Sequence, residues 1–325
     1  MGFMDGFERG LSGNYRYEIA GKAVVCSHCG GEEFDERSGQ LNTAGASLLN
    51  LDWANATARV LVCKAAVIWN GFFRRSMDPE FVNLTPENLA DEHLSCIIRV
   101  RKPHPGVEAK RQWLADRLRE GHVFRKLQVK DPVFIEYAPL ETAWVPVLGD
   151  NYLYVYCLWA YGAGKGKGYG RALMEYCLAD ARVQGKSGVC LLGAKKQKAW
   201  LTDQAFARKF GFEVVDATDD GYELLALSFD GTVPRFAPHA KAQAIDSDEL
   251  TIYYDFQCPY VPERIEAIRR YCEANDVPLT LIQVDSLQKA KELPGVFNNW
   301  GVFYKGKFET VNVLDTTYLK RILKK

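Results

Sequence analysis

The sequence predicts a mixed α/β protein of the α+β kind, and three observations carry that expectation. An apolar run from Tyr152 to Ala160 passes through a glycine-rich loop into an amphipathic stretch, Arg171 to Val183. Leu173, Cys177, Leu178 and Ala181 share one face of that stretch, the spacing of a helix. Beyond residue 249 the apolar runs alternate as strand, helix, strand, helix, strand, strand, helix. Near the start, Cys26-Ser27-His28-Cys29-Gly30-Gly31 places two thiols three positions apart, with glycines for a tight turn.

Length and composition set the limits. The chain has 325 residues, enough for two or three domains, and 47% hydrophobic content supports real cores. Its 41 basic and 41 acidic side chains cancel, so no global field steers it to nucleic acid or to a membrane surface. No apolar run reaches the roughly 18 residues of a membrane span. Residues 1–13 carry Asp5 and Glu8 and lack the apolar core of a secretion signal. Cys96, Cys157, Cys177 and Cys190 lie in apolar segments and read as small buried hydrophobes. A reducing cytoplasm is the expected compartment.

Residues 1–64 resemble small bacterial zinc-ribbon proteins. The resemblance rests on the Cys26/Cys29 knuckle, on Gln40 to Thr43 and on Leu51 to Trp53. A structural zinc wants four protein ligands, usually from two knuckles. The second knuckle begins at Cys63, but Ala66 stands where its second cysteine belongs. The candidate metal set is therefore Cys26, Cys29 and Cys63, an incomplete site at which zinc would bind weakly. Residues 65–76 suggest why. Codons exist for Ala65 to Arg74 that, read from their third base, give Cys-Gly-Tyr-Met-Glu-Trp-Phe-Phe-Gln, the missing knuckle and its tail. One base lost near codon 65 would join this frame to a neighbouring gene beginning at Met77. A natural fusion with a non-metal N-terminal domain is the other reading.

Next, Thr85-Pro86-Glu87 has the cap and proline of a helix start. Pro105 to Glu120 reads as a helix stopped by Gly121, and Val123 to Gln128 and Val133 to Tyr137 as short strands. The loop Lys165-Gly166-Lys167-Gly168-Tyr169-Gly170 then precedes the Arg171 helix, and its amides can point at an anion beside the positive end of that helix. It is no Walker loop, because Gly170-Arg171-Ala172 lacks the hydroxyl for magnesium. Nor is it a Rossmann fingerprint, because the next strand, Gly188 to Leu192, ends in Gly193-Ala194-Lys195 rather than an acid. Gln197 to Lys209 reads as a helix running into Phe210-Gly211-Phe212. Glu213 to Asp216 and Tyr222 to Phe229 read as a strand pair turned by Asp219-Asp220-Gly221.

This order, with a loop similar to Arg/Gln-x-x-Gly-x-Gly/Ala, resembles the GNAT (GCN5-related) N-acetyltransferases over residues 77–236. Phe134-Ile135-Glu136-Tyr137 and Cys157-Leu158-Trp159 look like the GNAT subgroup with a YoaP-like C-terminal domain. The resemblance implies acetyl-coenzyme A as co-substrate, an amine acceptor and direct transfer between them. It places the coenzyme on Trp159, Ala160, Lys165, Gly166, Lys167, Gly168, Tyr169, Gly170 and Arg171. Glu136 is the candidate catalytic base. Many relatives carry an acid tyrosine in Phe-Tyr-x-Lys-x-Gly-Phe, and Ala207 takes that place here. A non-catalytic coenzyme A-binding protein on the same fold therefore stays open as the alternative function.

Pro234 to Asp248 is polar and reads as a linker, with 237–248 between domains. Residues 249–325 resemble a thioredoxin fold of the YoaP-like kind. Cys258-Pro259-Tyr260 lies where a redox cysteine would sit, and a helix N-terminus lowers a thiol's pKa. Val261 occupies the resolving position, so disulfide cycling by this domain alone is not expected. The predicted whole is a GNAT mixed sheet with flanking helices, a C-terminal thioredoxin-like domain and a small N-terminal zinc-ribbon-like β segment.

Overall fold

The computed structural model describes residues 16–19, 22–26, 29–40, 57–64, 69–71, 81–96, 104–128, 132–160 and 166–325. The chain divides into two compact units, Met1–Asp78 and Pro79–Lys325. The predicted Gln40–Thr43 and Leu51–Trp53 motifs, most of the 65–76 junction and Lys165 fall wholly or largely outside the described residues.

Among its described residues the first unit is all β. A short ribbon pairs β1 (Glu18–Ile19) with β2 (Lys22–Ala23), and a three-stranded antiparallel sheet joins β3 (Phe34–Gln40), β4 (Thr57–Cys63) and β5 (Trp69–Gly71). Val24, Cys26, Phe34, Leu61 and Cys63 form its core. The Cys26 turn closes through Cys26 N to Gly31 O at 2.8 Å and Gly30 N to Cys26 O at 2.9 Å. Gly30 sits at φ 72°, a value that L-residues resist.

The second unit begins at β6 (Phe81–Asn83), followed by α1 (Pro105–Arg119), β7 (Val123–Leu127), β8 (Val133–Pro139), β9 (Val147–Leu148) and β10 (Tyr152–Ala160). Then come α2 (Tyr169–Val183), β11 (Gly188–Ala194), α3 (Gln204–Arg208), β12 (Glu213–Ala217) and β13 (Tyr222–Ser228). Seven of the strands form one sheet in the order β12-β13-β11-β10-β8-β7-β6. Only β10 and β11 run parallel within it; the α2 crossover between them provides the length that parallel pairing requires.

Alternation assigns the two sheet faces. On β8, Val133, Ile135 and Tyr137 pack under α2 with Leu173, Met174 and Cys177. Phe134 packs on the opposite side with Trp113 and Phe124, beneath α1, whose His104 N-cap accepts from Gly106 N at 3.1 Å. Strand β10 breaks this rhythm. Its register against β8 shifts between Val155 and Cys157, leaving Tyr156 as the extra residue of a bulge. Tyr156 and Cys157 then pack toward the same core, and Leu158 returns to the α2 side.

The chain continues through β14 (Arg235–Phe236), which pairs with β9, and the short α4 (Pro238–Lys241). The last part comprises β15 (Leu250–Tyr254), α5 (Val261–Ala274), β16 (Leu279–Gln283), α6 (Leu287–Lys291), β17 (Trp300–Tyr304), β18 (Lys307–Thr310) and α7 (Thr316–Ile322). Its sheet runs β16-β15-β17-β18, with β15 and β16 parallel. The β-α-β-α-β-β-α order expected of this region is present element for element.

Three expectations need correction. Thr85–Pro86 does not start an α-helix among the described residues. Asn88 Oδ1 accepts from Thr85 N at 2.8 Å and its Nδ2 donates to the Asn83 carbonyl at 3.0 Å, holding a turn instead. The helix expected from Gln197 begins only at Gln204. Asp203 caps it, and the Gln197 amide donates to the Lys198 and Leu201 carbonyls, fixing residues 198–201 as a loop. The polar stretch after Pro234 is not a free linker. Phe236, Ala237 and Ala240 are fully buried in a core that also takes Tyr154 and Tyr222 from the large sheet and Phe297 and Phe303 from the C-terminal part. The polar residues misled because their small apolar neighbours do the packing.

Candidate active site

Two features of the large sheet converge at the C-terminal end of β10. The first is a split. Strands β10 and β11 pair only from Tyr152↔Gly188 to Val155↔Leu191. Past the bulge, Cys157–Ala160 remain paired with β8 on their other side. The second is the start of α2. Gly168 is its N-cap at φ 80°, with no side-chain capping bond and no acidic residue in the first turn. Gly166 has φ 78°, and a Cβ at either glycine would meet nothing within 4 Å. The space in front of these amides is open, and the helix end favours negative charge. Among the described loop residues, Lys167 is exposed and Tyr169 is half-buried against the α2-side core. A Cβ at Gly170 would meet Leu158 and Phe206 only at ordinary contact distance. Arg171, expected to reach phosphate, is exposed and paired with Glu175 at 2.7 Å.

Beside the split lies a cavity of about 450 Å³. Its walls come from four places, one of them Ser95, Cys96 and, on α1, Lys110. The large sheet supplies Phe134, Glu136 and Tyr156 to Trp159; the loop before α3 supplies Ala199 to Thr202; the C-terminal part supplies Gln257 to Tyr260, Arg264, Asn298 and Asn299. Sequence reasoning found Glu136, Trp159 and Cys258 separately and missed that one cavity gathers them. It also missed Trp200, Arg264 and Asn298; a lone polar or aromatic residue in a helix or loop carries no signal of what it will face.

Glu136 is fully buried, at 0% exposure. Its Oε2 accepts from Lys110 Nζ at 2.6 Å and from Gln257 Nε2 at 2.8 Å, and its Oε1 pairs with His122 Nε2 at 3.1 Å. Burial alone would raise its pKa, but the Lys110 ammonium and the His122 bond outweigh that and hold it below the ordinary carboxylate value. Burial pushes the His122 pKa down, so the ring is neutral near pH 7 and its Nε2–H faces the carboxylate. Held by three donors, Glu136 has little basicity left for a substrate proton. The expected base sits at the expected cleft with its lone pairs already engaged.

The C-terminal part also grips the bulge. Asn298 Nδ2 donates to the Tyr156 carbonyl at 3.2 Å, and Tyr154 Oη donates to Asn298 Oδ1 at 2.5 Å. Asn299 Nδ2 donates to the Gln257 side-chain Oε1. At the rim, Trp200 and Tyr260 meet edge to face with ring centroids 5.5 Å apart. The Cys258 thiol lines this shared cavity and is not confined to a separate domain. Burial pushes its pKa up to about 12, the reverse of the lowering expected at a helix start. Its α5 neighbourhood is too dry for the helix end to prevail.

In the first unit, the Sγ atoms of Cys26, Cys29 and Cys63 lie within 4.8 Å of one another, and Cys29 Sγ is 3.5 Å from Cys63 Sγ. Cys26 and Cys63 are buried and Cys29 is exposed. Three thiolates this close suit three corners of a tetrahedral zinc site. The position expected for a fourth, Ala66, is outside the described residues.

The fold and cleft define an acyl-transferase scaffold, and comparison with known proteins gives the family. Residues 278–321 match the YoaP-like family model. The chain is 32% identical over 245 residues to a Bacillus subtilis (strain 168) protein described as an uncharacterized N-acetyltransferase, YoaP; the match covers 75% of this chain and 98% of that one. The chain belongs to the family of that protein, the YoaP-type GNAT N-acetyltransferases. Among solved structures it is similar to a GNAT family acetyltransferase from Brucella melitensis in complex with acetyl-CoA, at 18% identity and TM-score 0.33, covering 50% of this chain and 97% of that one. It is also similar to the PaiA N-acetyltransferase from Thermoplasma acidophilum in complex with coenzyme A, at 14% identity and TM-score 0.34, covering 47% and 100%.

Proposed function

We propose that the chain transfers an acetyl group from acetyl-coenzyme A to the amine of a small acceptor held in the cavity beside the β10/β11 split. What supports this is an uncapped helix N-terminus with open glycine space directly after β10, the strand whose split end, Cys157 to Trp159, lines the cavity. The coenzyme would supply the activated acetyl thioester. Gly166, Gly168 and Gly170 would take its pyrophosphate on backbone amides. Residues 157–160 would line its arm, with Trp159 at the cavity side. Lys165, Lys167 and Arg171 would add positive charge near the phosphates, Arg171 at the cost of its bond to Glu175.

The chain's own groups suit direct transfer. Among the described residues the cavity lining offers no carboxylate free to stabilise an ammonium, because Glu136 is engaged by Lys110, His122 and Gln257. An acceptor amine there is favoured in its neutral, nucleophilic form. Ala207, where relatives carry a tyrosine, is fully buried and donates no proton. A departing thiolate needs no strong acid, since a thiol's own pKa is about 8.5. The three-thiol cluster of the first unit fits a weakly held zinc ion of structural kind. The cysteines of the described residues, none of them in a disulfide and six of them buried, support a reducing, cytoplasmic compartment. Among the described residues no helix is long and apolar enough to cross a membrane.

The test is release of free thiol from acetyl-coenzyme A with pooled amines, beside the melting shift that coenzyme A produces. Amine-dependent release supports the reading; neither release nor a shift overturns it.

A further inference from the structure

Among the described residues, one cationic side chain lining the cavity keeps a buried donor without a partner. Of the ionic side chains lining it, Lys110 and Glu136 neutralise each other at 2.6 Å. Arg264, on the first turn of α5, also lines it. Its Nε is buried without a hydrogen-bond partner, and it forms no ion pair among the described residues. A buried guanidinium nitrogen without an acceptor is costly unless something brings one. Tyr260, the N-cap of α5, makes no side-chain capping bond and also lines the cavity, while the acid of that first turn, Glu263, is outside the cavity lining and bonded to His104 at 2.7 Å. The rest of the wall is largely apolar, with Phe134, Leu158, Trp159, Trp200 and Leu201.

We infer that the acceptor is a small apolar amine that also carries a carboxylate, an amino acid or a close analogue, with the carboxylate on Arg264 and the apolar side chain against Trp200 and Tyr260. This deepens the functional reading above and rests on it. A guanidinium fork matches a carboxylate's two oxygens, which fixes orientation as well as charge. The Trp200–Tyr260 and His104–Tyr260 ring contacts, at 5.5 and 5.9 Å, close one side of the cleft. The volume of about 450 Å³ lies in the roughly 300–1,000 Å³ range of small-molecule sites. A protein N-terminus as acceptor would have to displace this rim. Arg264 belongs to the C-terminal part, so the inference also gives that part a role: it completes the acceptor site and selects what enters.

The experiment titrates the full chain, saturated with coenzyme A, with leucine, methionine, phenylalanine and tryptophan. Each is set beside its amide and its decarboxylated amine. Expected is at least tenfold tighter binding of one or more of the acids than of the matching amide and amine. In Arg264→Met this preference should fall to within about twofold, with Arg264→Lys between. The melting shift given by coenzyme A certifies that each variant is folded. Absence of preference in the unaltered chain, or a preference that survives Arg264→Met, overturns the acceptor class while the coenzyme reading stands. A chain whose melting coenzyme A does not move overturns both. If Arg264→Met does not fold, loss of preference in Arg264→Lys supports the inference and full retention overturns it.

Discussion

Gln257 donates through Nε2 to Glu136 Oε2 at 2.8 Å, so the loop after β15 reaches a carboxylate on a central strand of the large sheet. The same carboxylate balances Lys110, which is 2% exposed. This arrangement makes Glu136 a structural tie between the two sheets before anything else. Glu136→Gln should therefore leave a buried ammonium without its counter-charge and cost about 3–5 kcal/mol in urea unfolding. The double change Lys110→Met with Glu136→Leu should recover much of that loss, since a buried ion pair is often replaceable by apolar groups. A variant Glu136→Gln of nearly unaltered stability but much reduced turnover would instead restore the carboxylate to the role of base.

Gly106 marks a second tie. A Cβ there would collide with the Pro259 carbonyl, so the start of α1 and the loop before α5 meet at a distance only glycine allows. Nearby, His104 Nε2 pairs with Glu263 at 2.7 Å. Gly106→Ala should push the α5 loop away and cost roughly 1–3 kcal/mol, the usual range for overpacking. It should also speed alkylation of Cys258, which is 9% exposed in the intact chain. Peptide mapping after brief iodoacetamide treatment reads this directly; equal labelling of Cys258 in both proteins would count against the tie.

Much of this was legible in the sequence, and the failures have physical causes. The 249–325 elements were readable because each apolar run is short, complete and bounded by turn residues such as Lys305-Gly306. The β10, loop, α2 succession was readable because three glycines interrupt two long apolar segments. The helix expected from Gln197 failed because side-chain amide bonds to local carbonyls beat helix propensity. The packing of residues 235–243 was hidden because alanines bury silently. Glu136 was placed at the right cleft, but its partners lie 26, 14 and 121 residues away in sequence. No local pattern reveals such a triad, and without it a held carboxylate looks like a base.

At the coenzyme loop, Gly168→Asp should abolish the melting shift given by acetyl-coenzyme A. The substitution adds negative charge at the N-cap of α2 and asks an L-residue to hold φ 80°. That backbone conformation costs about 1–2 kcal/mol, so the variant should still fold. In the unaltered chain, ligand at a hundredfold excess over its Kd stabilises by about 2.7 kcal/mol. Equal shifts in both proteins would remove the pyrophosphate from this loop.

Asp255 gives a pH dependence with a defined sign. It is 2% exposed, and burial raises its pKa to about 7, partly opposed by the hydrogen bond from Gln257 N. The folded chain therefore holds this proton more tightly than the unfolded chain. The stability that follows is complete below the ordinary aspartate range near pH 4 and is lost as pH rises toward 7. Asp255→Asn keeps an oxygen for the Gln257 amide and removes the charge. It should be more stable than the unaltered chain at pH 8, by roughly 2–4 kcal/mol, and the gain should vanish near pH 4. Urea midpoints at the two pH values decide it; a constant difference would mean Asp255 does not titrate on unfolding.

The last prediction concerns the three thiols of the first unit. Cys26, Cys29 and Cys63 are already within 4.8 Å of one another, so folding has gathered them without a fourth thiolate among the described residues. A backbone hydrogen bond from Gly31 lowers the Cys29 thiol pKa, but Cys63, Cys26 and desolvation together raise it above the ordinary value. A bound cation would offset the charge that builds up as the clustered thiols lose their protons to ligate it. The chain should bind zinc, but with the weak affinity of a three-ligand site, and Cys26→Ser should abolish binding. Restoring a second knuckle through Ala66→Cys should supply the fourth thiolate. Binding should tighten by at least tenfold, about 1.4 kcal/mol, and the melting of this unit should become sensitive to chelator. Zinc content after dialysis and chelator titration of the three proteins measure this. Tight stoichiometric zinc in the unaltered chain, unmoved by Ala66→Cys, would show that another residue already completes the site and that the shifted-frame reading of residues 65–74 is coincidence.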